Sequence, residues 1–218
     1  MKMTSTATAD EAPLVLIVDD DEEVRTAIEE LMLSVGMEAH GFGSTRDLLE
    51  SSLLQQASCL VLDVRMPGSS GLDLQQRLSA AGISRPIVFL TGYGDIPMSV
   101  QAMKAGAIDF LTKPVRDQTL IDAVITGVEC YEKQRAHAQV IQQHVDRFAT
   151  LTPRESQVMR EVARGRLNKQ IAFDLGITEI TVKLHRSNVM KKMQASSVGE
   201  LIRAWEILPE ELRQSQRA

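Results

Sequence analysis

LVLDVRMPGSSG, residues 60–71, is an apolar run that ends in a single carboxylate, Asp63, and then breaks into a Pro-Gly-Ser-Ser-Gly turn. A short run of leucine and β-branched residues with no polar interruption reads as a strand buried on both faces, which is how strands of a parallel sheet look. Asp63 then stands where the strand meets its loop, at the carboxyl edge of the sheet. Taken alone, such an aspartate is a turn cap. The neighbouring strands decide whether it is more.

Four further stretches have strand length: LVLIV (14–18), EAHGF (38–42), PIVFLT (86–91) and DFLT (109–112), with CLVLD (59–63) as the third in order and EAHGF the weakest. Between them, Glu22–Ser34, Thr45–Leu54, Gly71–Ala81 and Ile96–Ala105 carry apolar residues at helical spacing, and a last helix starts near Asp117. Strands that alternate with helices predict an α/β fold, a parallel sheet covered on both faces. Right-handed crossovers bring every strand's carboxyl end to one edge, where ligands bind.

Side chains with related chemistry converge on that edge. The first strand ends in Asp19 and Asp20, with Asp21 at the start of the following helix; the third ends in Asp63, the fourth in Thr91, and the fifth in Lys113 before Pro114. An Asp run ahead of a helix is commonly a cap and a partner for the helix dipole. Crowded carboxylates repel one another, however, and a hard divalent cation such as magnesium relieves them. With the metal in place, Lys113 and the Thr91 hydroxyl suit a phosphoryl group.

VLIVDDDEEVR, CLVLDVRMPGSSGLDL and PIVFLTGYGDIPMSVQAMKAGAIDFLTKP resemble the receiver domain of two-component response regulators, over about residues 12–127. The resemblance implies a flavodoxin-like sheet of order 2-1-3-4-5, with Asp63 as phosphoacceptor for a sensor histidine kinase. It implies Mg2+ held by Asp20, Asp63 and the backbone carbonyl of Arg65, with Asp19 assisting through water. Thr91 and Lys113 would hold the phosphoryl group, the Lys113–Pro114 bond would be cis, and Phe110 would be the aromatic switch, without the hydroxyl of the tyrosine often found there. GDIPMSVQAMKAGAIDF is similar to the FixJ-like branch, whose phosphorylated members form homodimers through about 96–112; Met98, Ala102 and Met103 are candidates to face a partner. FixJ-like proteins are usually activators, which would bring RNA polymerase in as a partner.

From Asp117 to about Arg147 the chain holds no proline and one glycine, so the last helix is expected to run on as a helical linker over 128–147. Val124, Val128, Tyr131, Ala138 and Val145 recur at spacings of three, four and seven, which leaves open a seam against a second copy, although Arg135 and Gln142 interrupt it. LTPRE, 151–155, is a helix start with Thr152 as cap, Pro153 in the first turn and Glu155 closing the cap. Four helices are predicted: about 153–164, 168–175, 179–193 and 197–206. In NKQIAFDLGITEITVKLHRSNVMKKM (168–193), Ile171, Ala172, Leu175, Ile177 and Val182 join two helices, and the second exposes Lys183, Arg186, Ser187, Lys191 and Lys192. Cations on one face of a second helix suit the major groove. The segment from Leu151 to Met193 resembles the LuxR-type four-helix DNA-binding domain, over about 148–208. The resemblance implies that Lys183, Leu184 and Ser187 face the groove of double-stranded promoter DNA and that Lys169, Thr181 and Arg186 touch phosphates. The last helix, with Leu201, Ile202 and Trp205, either dimerises or closes the core.

Charge divides the same way. Residues 1–127 carry 9 Lys+Arg against 18 Asp+Glu, and residues 148–218 carry 12 against 8, so the rear half alone suits a polyanion. Two cysteines, Cys59 and Cys130, make no disulfide framework or metal spacing, and a reducing cytoplasm is the expected setting. MKMTSTATADEAP lacks the apolar core of a signal peptide, no run is long enough to span a membrane, and the chain ends are expected to fray. A phosphatase built on an aspartyl phosphate would need a second acid two residues after the nucleophile; Arg65 stands there, so a regulator, not an enzyme, is expected. A protein-binding rear module remains the alternative to DNA binding.

Overall fold

The computed structural model describes residues 12–92 and 95–214; the expected fraying at the chain ends falls on residues outside these. The chain divides into two compact units between Gln134 and Arg135.

The first unit alternates β1 (Leu14–Val18), α1 (Glu22–Ser34), β2 (Glu38–Phe42), α2 (Thr45–Glu50), β3 (Cys59–Leu62), α3 (Gly71–Ala80), β4 (Ile87–Thr91), α4 (Ile96–Lys104) and β5 (Asp109–Thr112), and opens α5 (Asp117–Ala149). All pairs are parallel and the strand order is β2-β1-β3-β4-β5, as expected. Alternate residues of each central strand serve opposite faces. Leu16, Val18, Leu60, Leu62, Ile87 and Phe89 build one core, while Val15, Ile17, Cys59, Val61, Val88 and Leu90 build the other with α1 and α5. This two-sided burial is why the strands read as continuous apolar runs. β2, at the edge, buries mainly Phe42, which explains its weak signal.

Two helical expectations change. The stretch predicted as one helix over 45–54 breaks at Ser51, whose hydroxyl accepts the Leu53 N–H and starts a 3-10 turn over Ser52–Gln55; short hydroxyl side chains compete with helix in this way. On α4, Ala102 is fully buried and so does not face a partner, Met98 is half-buried against the core, and Met103, Val100 and Ile96 are exposed. Gln75, buried on α3, donates its amide to the carbonyls of Ala102 and Ala105, each at 3.3 Å, and ties down the carboxyl end of α4.

The second unit holds the end of α5 and α6 (Pro153–Ala163), α7 (Asn168–Leu175), α8 (Glu179–Lys192), α9 (Val198–Ile207) and α10 (Glu210–Gln214). Thr152 and Glu155 close the predicted capping box, with Glu155 N–H on Thr152 Oγ1 at 3.3 Å and Thr152 N–H on Glu155 Oε2 at 2.9 Å. The domain exceeds the four predicted helices: Val145 and Phe148 from α5 and Leu212 from α10 pack on its core. Pro209 holds Leu208 extended and α10 starts just beyond it, so a periodic signal that stops at 207 misses this turn. Leu201 is buried and Trp205 packs edge-on to Phe148, centroids 6.0 Å apart, so α9 closes the core with these residues. Of the residues at linker spacing, Val124 and Val128 belong to the first core and Val145 packs on the second, Tyr131 is half-buried with the Arg85 guanidinium 5.0 Å from its ring centroid, and Ala138 is exposed.

Gly127 lies mid-helix in α5, where glycine costs about 0.5–1 kcal/mol relative to alanine. A Cβ there would meet Cys59 Sγ at 2.7 Å. Burial pushes the Cys59 thiol up to about 12, so Cys59 is an inert packing group and Gly127 is the residue that lets α5 pass over it. Gly127→Ala is therefore expected to destabilise the first unit by about 1–3 kcal/mol. In a double-mutant cycle with Cys59→Ala by urea unfolding, the two changes should couple favourably by about 1 kcal/mol or more; additive losses would show that the close approach does not matter.

Candidate functional site

The strand order places β1 beside β3, and their ends are pinned by the sheet: Asp63 N–H donates to Val18 O at 2.8 Å, and Asp19 N–H to Phe42 O at 3.2 Å. Carboxylate oxygens of Asp19, Asp20 and Asp63 lie within 4.8 Å of one another. Asp19 is almost fully buried, Asp63 nearly so, and Asp20 is exposed. Asp21 is taken up by the helix: its Oδ1 accepts from Glu23 and Val24 N–H and caps α1. Of the three-aspartate run, only the first two belong to the pocket.

Lys113, just past β5, reaches across this group. Its ammonium donates to Asp19 Oδ2 and, at 3.3 Å, to Asp63 Oδ2. Asp63 Oδ1 accepts the Arg65 N–H at 3.1 Å, and Asp19 Oδ1 accepts the Asp21 N–H at 3.1 Å. Burial works against the charge on Lys113, but its hydrogen bond to Asp19 and the attraction of both carboxylates outweigh it and hold the ammonium above the ordinary lysine value. Burial pushes Asp19 up, by more than its bond to Lys113 draws it down, and Asp63 adds repulsion. Three carboxylates against one ammonium leave the pocket short of positive charge. An all-oxygen donor set of this kind fits a hard divalent cation.

Thr91 ends β4 fully buried, and its carbonyl accepts the Lys113 N–H at 2.8 Å. The Lys113–Pro114 peptide is cis. Phe110 lies on β5 with its ring against Phe89, centroids 6.0 Å apart, on the core side rather than among the carboxylates. Gly71, the first residue of α3, closes the loop after Asp63: its N–H donates to Val64 O at 3.1 Å, and a Cβ there would come within 2.3 Å of Asp63 O. Gly71 was not among the expected site residues, although the Ser-Ser-Gly at the loop's end marked a special turn.

In the second unit, α7 ends at Gly176 in the left-handed conformation, φ 64°, and Thr178 caps α8 by accepting the Thr181 N–H. Val182 and Val189 face the core. Lys183, Leu184 and Ser187 are exposed together on the opposite side of α8, and Lys169 is exposed on α7. Two of the basic residues expected on this surface are engaged inside the domain. Arg186 donates to Asn168 Oδ1 at 2.6 Å and braces α7 against α8. Lys192 donates to Glu155 Oε2 at 2.6 Å and Thr150 O at 3.0 Å. Ile180 and Asn188, not singled out from the sequence, share the exposed face of α8; their spacing of four from Leu184 was the available signal.

Two family models match: the response regulator receiver domain over residues 15–125 and the bacterial regulatory proteins of the luxR family over residues 149–205. The chain is 51% identical to nodulation protein W of Bradyrhizobium diazoefficiens over 195 residues, 89% of this chain and 86% of that protein. It is 40% identical to the transcriptional regulatory protein FixJ of Azorhizobium caulinodans, over 86% of this chain and 89% of that one. The solved structure of response regulator StyR is similar with a TM-score of 0.81 and 45% identity, over 90% of this chain and 99% of that one.

Glu155 is buried, and although burial opposes its charge, Lys192 and the Thr152 cap hold its carboxyl below the ordinary glutamate value. Lys192→Ala should destabilise the second unit by about 1–3 kcal/mol at neutral pH by leaving that carboxylate short of a partner. A depressed folded-state value contributes stability that is complete above the ordinary glutamate value of 4.5 and is lost as pH falls through the depressed one, so the difference between wild type and variant should shrink below that range. Trp205 is the only tryptophan and lies in this unit, so its fluorescence during urea unfolding of the full chain reads the effect. An undiminished difference at low pH would contradict the pairing.

Proposed function

This chain belongs to the two-component response regulators of the FixJ and NodW type, which join a receiver domain to a LuxR-type DNA-binding domain and control transcription, and on that premise we propose that phosphorylation of Asp63 controls its dimerisation and promoter binding, with transcription activated as the result. The observation that carries the reading is the cluster of Asp19, Asp20 and Asp63 at the sheet edge, with Lys113 bridging Asp19 and Asp63.

Asp63 Oδ1 accepts the Arg65 N–H and Oδ2 accepts from Lys113; as Lys113 shifts to a phosphoryl oxygen, Oδ2 would attack the phosphorus of a sensor kinase's phosphohistidine, the O–P bond forming while the P–N bond breaks and the imidazole leaves. Asp20, Asp63 and the Arg65 carbonyl would hold Mg2+, with Asp19 acting through water. When bound, the ion supplies the positive charge that the pocket lacks against an incoming phosphoryl group. Lys113 exchanges part of its carboxylate contact for a phosphoryl oxygen, and the Thr91 hydroxyl turns to another. Movement at Thr91 lets the Phe110 ring shift in its contact with Phe89, and this reaches the α4–β5 surface where Ile96, Val100 and Met103 are exposed. Burial of that surface between two copies gives the dimer. Lys183, Leu184 and Ser187 would then read two related half-sites, with Lys169 and Thr181 on phosphates; Arg186 has Nη1 on Asn168 and would offer its other guanidinium N–H groups to a phosphate. The bound dimer would present RNA polymerase with its activating surface.

Asp63→Asn should reduce label transfer from a small phosphodonor in magnesium to background while the chain stays folded, because a neutral isostere relieves repulsion among the carboxylates; transfer at the wild-type level would exclude Asp63. With wild type, the phosphodonor should raise the dimerisation constant about 5–150-fold in sedimentation at micromolar protein, the range of ordinary coupling between sites.

Base reading and phosphate anchoring should separate on the second unit. Lys183→Ala is expected to cost about 1–3 kcal/mol on a specific duplex and relax preference at one base pair per half-site. Lys169→Ala should weaken specific and random duplex alike and reduce the salt slope by about one unit. Equal losses on both duplexes for Lys183→Ala would remove it from base reading.

A further inference from the structure

The exposed face of α8 consists of two parallel rows at a spacing of four. One is Glu179, Lys183, Ser187 and Lys191; the other is Ile180, Leu184 and Asn188, all exposed. The second row is unusual. Ile180 is 80% exposed and Leu184 60%, and neither packs against the core of the second unit. The cap of α8 comes from Thr178 and its buried residues are Val182 and Val189, so nothing among the described residues of this unit requires two large aliphatic side chains here.

We propose that this row reads A·T base pairs in the major groove, with Ile180 and Leu184 against thymine methyl groups and Asn188 on an adenine. The inference rests on the DNA-binding reading above and specifies which half-site it takes. The row is continuous with Lys183 and Ser187, and Lys183 and Lys191 outweigh the single acid of that face, Glu179, so the surface suits a polyanion. On the floor of the major groove the base edges offer ring nitrogens, carbonyl oxygens and amino groups, and the C5 methyl of thymine is the one apolar group that an aliphatic tip can cover. An asparagine amide pairs bidentately with the N6 and N7 of adenine. From Ile180 to Asn188 the row rises about 12 Å, the length of three to four base pairs at about 3.4 Å each. The preferred half-site is therefore a short A·T run read by this row beside a G·C pair read by Lys183.

The test uses the full-length chain, with phosphodonor and magnesium, to enrich duplexes from a random pool. Each thymine of the enriched duplex is then replaced singly by deoxyuridine, which keeps the base pair and removes only the methyl. Removal of a contacted methyl should weaken binding about fourfold, the equivalent of one buried carbon, at one or two thymines per half-site. Ile180→Ala and Leu184→Ala should each make one of those positions indifferent to the replacement, while Lys183→Ala should leave both sensitive. An enriched duplex that binds tightly and ignores every deoxyuridine overturns this inference and leaves the DNA-binding reading intact; that is also the outcome if a protein partner covers the row. Sensitivity that persists unchanged in both aliphatic variants overturns the assignment to Ile180 and Leu184. A pool from which nothing is enriched overturns the DNA-binding reading itself.

Discussion

Like charges held close together are the constraint on which the first unit turns. The order β2-β1-β3-β4-β5 makes the ends of β1 and β3 neighbours, and that adjacency forces Asp19 and Asp63 together with Asp20 beside them. Left alone, such close carboxylates repel one another. The arrangement is held by backbone N–H groups from Arg65 and Asp21 and by Lys113, which bridges two of the three carboxylates. Because one ammonium does not balance three carboxylates, the site remains receptive to a further cation and, through it, to an anion. Close approach of Gly71 to the Asp63 carbonyl lets α3 start directly against the strand end that carries the site.

The second unit shows the same side-chain types given opposite tasks by their surroundings. Lys192 and Arg186 look like parts of a cationic surface, yet each closes a polar contact inside the domain, the first on Glu155 and the second on Asn168. Lys183 and Lys169 stay exposed and have no such engagement among the described residues. The Arg186–Asn168 bond joins α8 to the start of α7 and fixes their relative position. The exposed aliphatic residues of α8 invert the usual arrangement: the core side is complete without them, and what they add is surface chemistry.

Much of this was legible in the residues themselves. Uninterrupted apolar runs ending in Asp19, Asp63 and Thr91, each followed by helical spacing, are enough to place a parallel sheet and its ligand edge, because a strand buried on both faces admits no polar residue until it leaves the sheet. The capping box at Thr152 and the turn at Gly176 are local chemistry, and they stand as the sequence predicts. The receiver and LuxR-type resemblances rested on these same residues.

Tertiary structure alone decided which side chains of equal local character turn inward. Ala102 and Met103 are adjacent on α4, and only the packing of α3, with Gln75 on the Ala102 carbonyl, makes the first core and the second surface. Asp20 and Asp21 are identical residues in one run, separated by the α1 cap into pocket and helix start. The placement of Lys192 depends on Glu155, 37 residues away, and that of Lys113 on Asp19, 94 residues away. Periodicity and capping act within a few residues and therefore appear in the sequence; the burial of a charge is set by partners brought from distant segments, and no local pattern carries it.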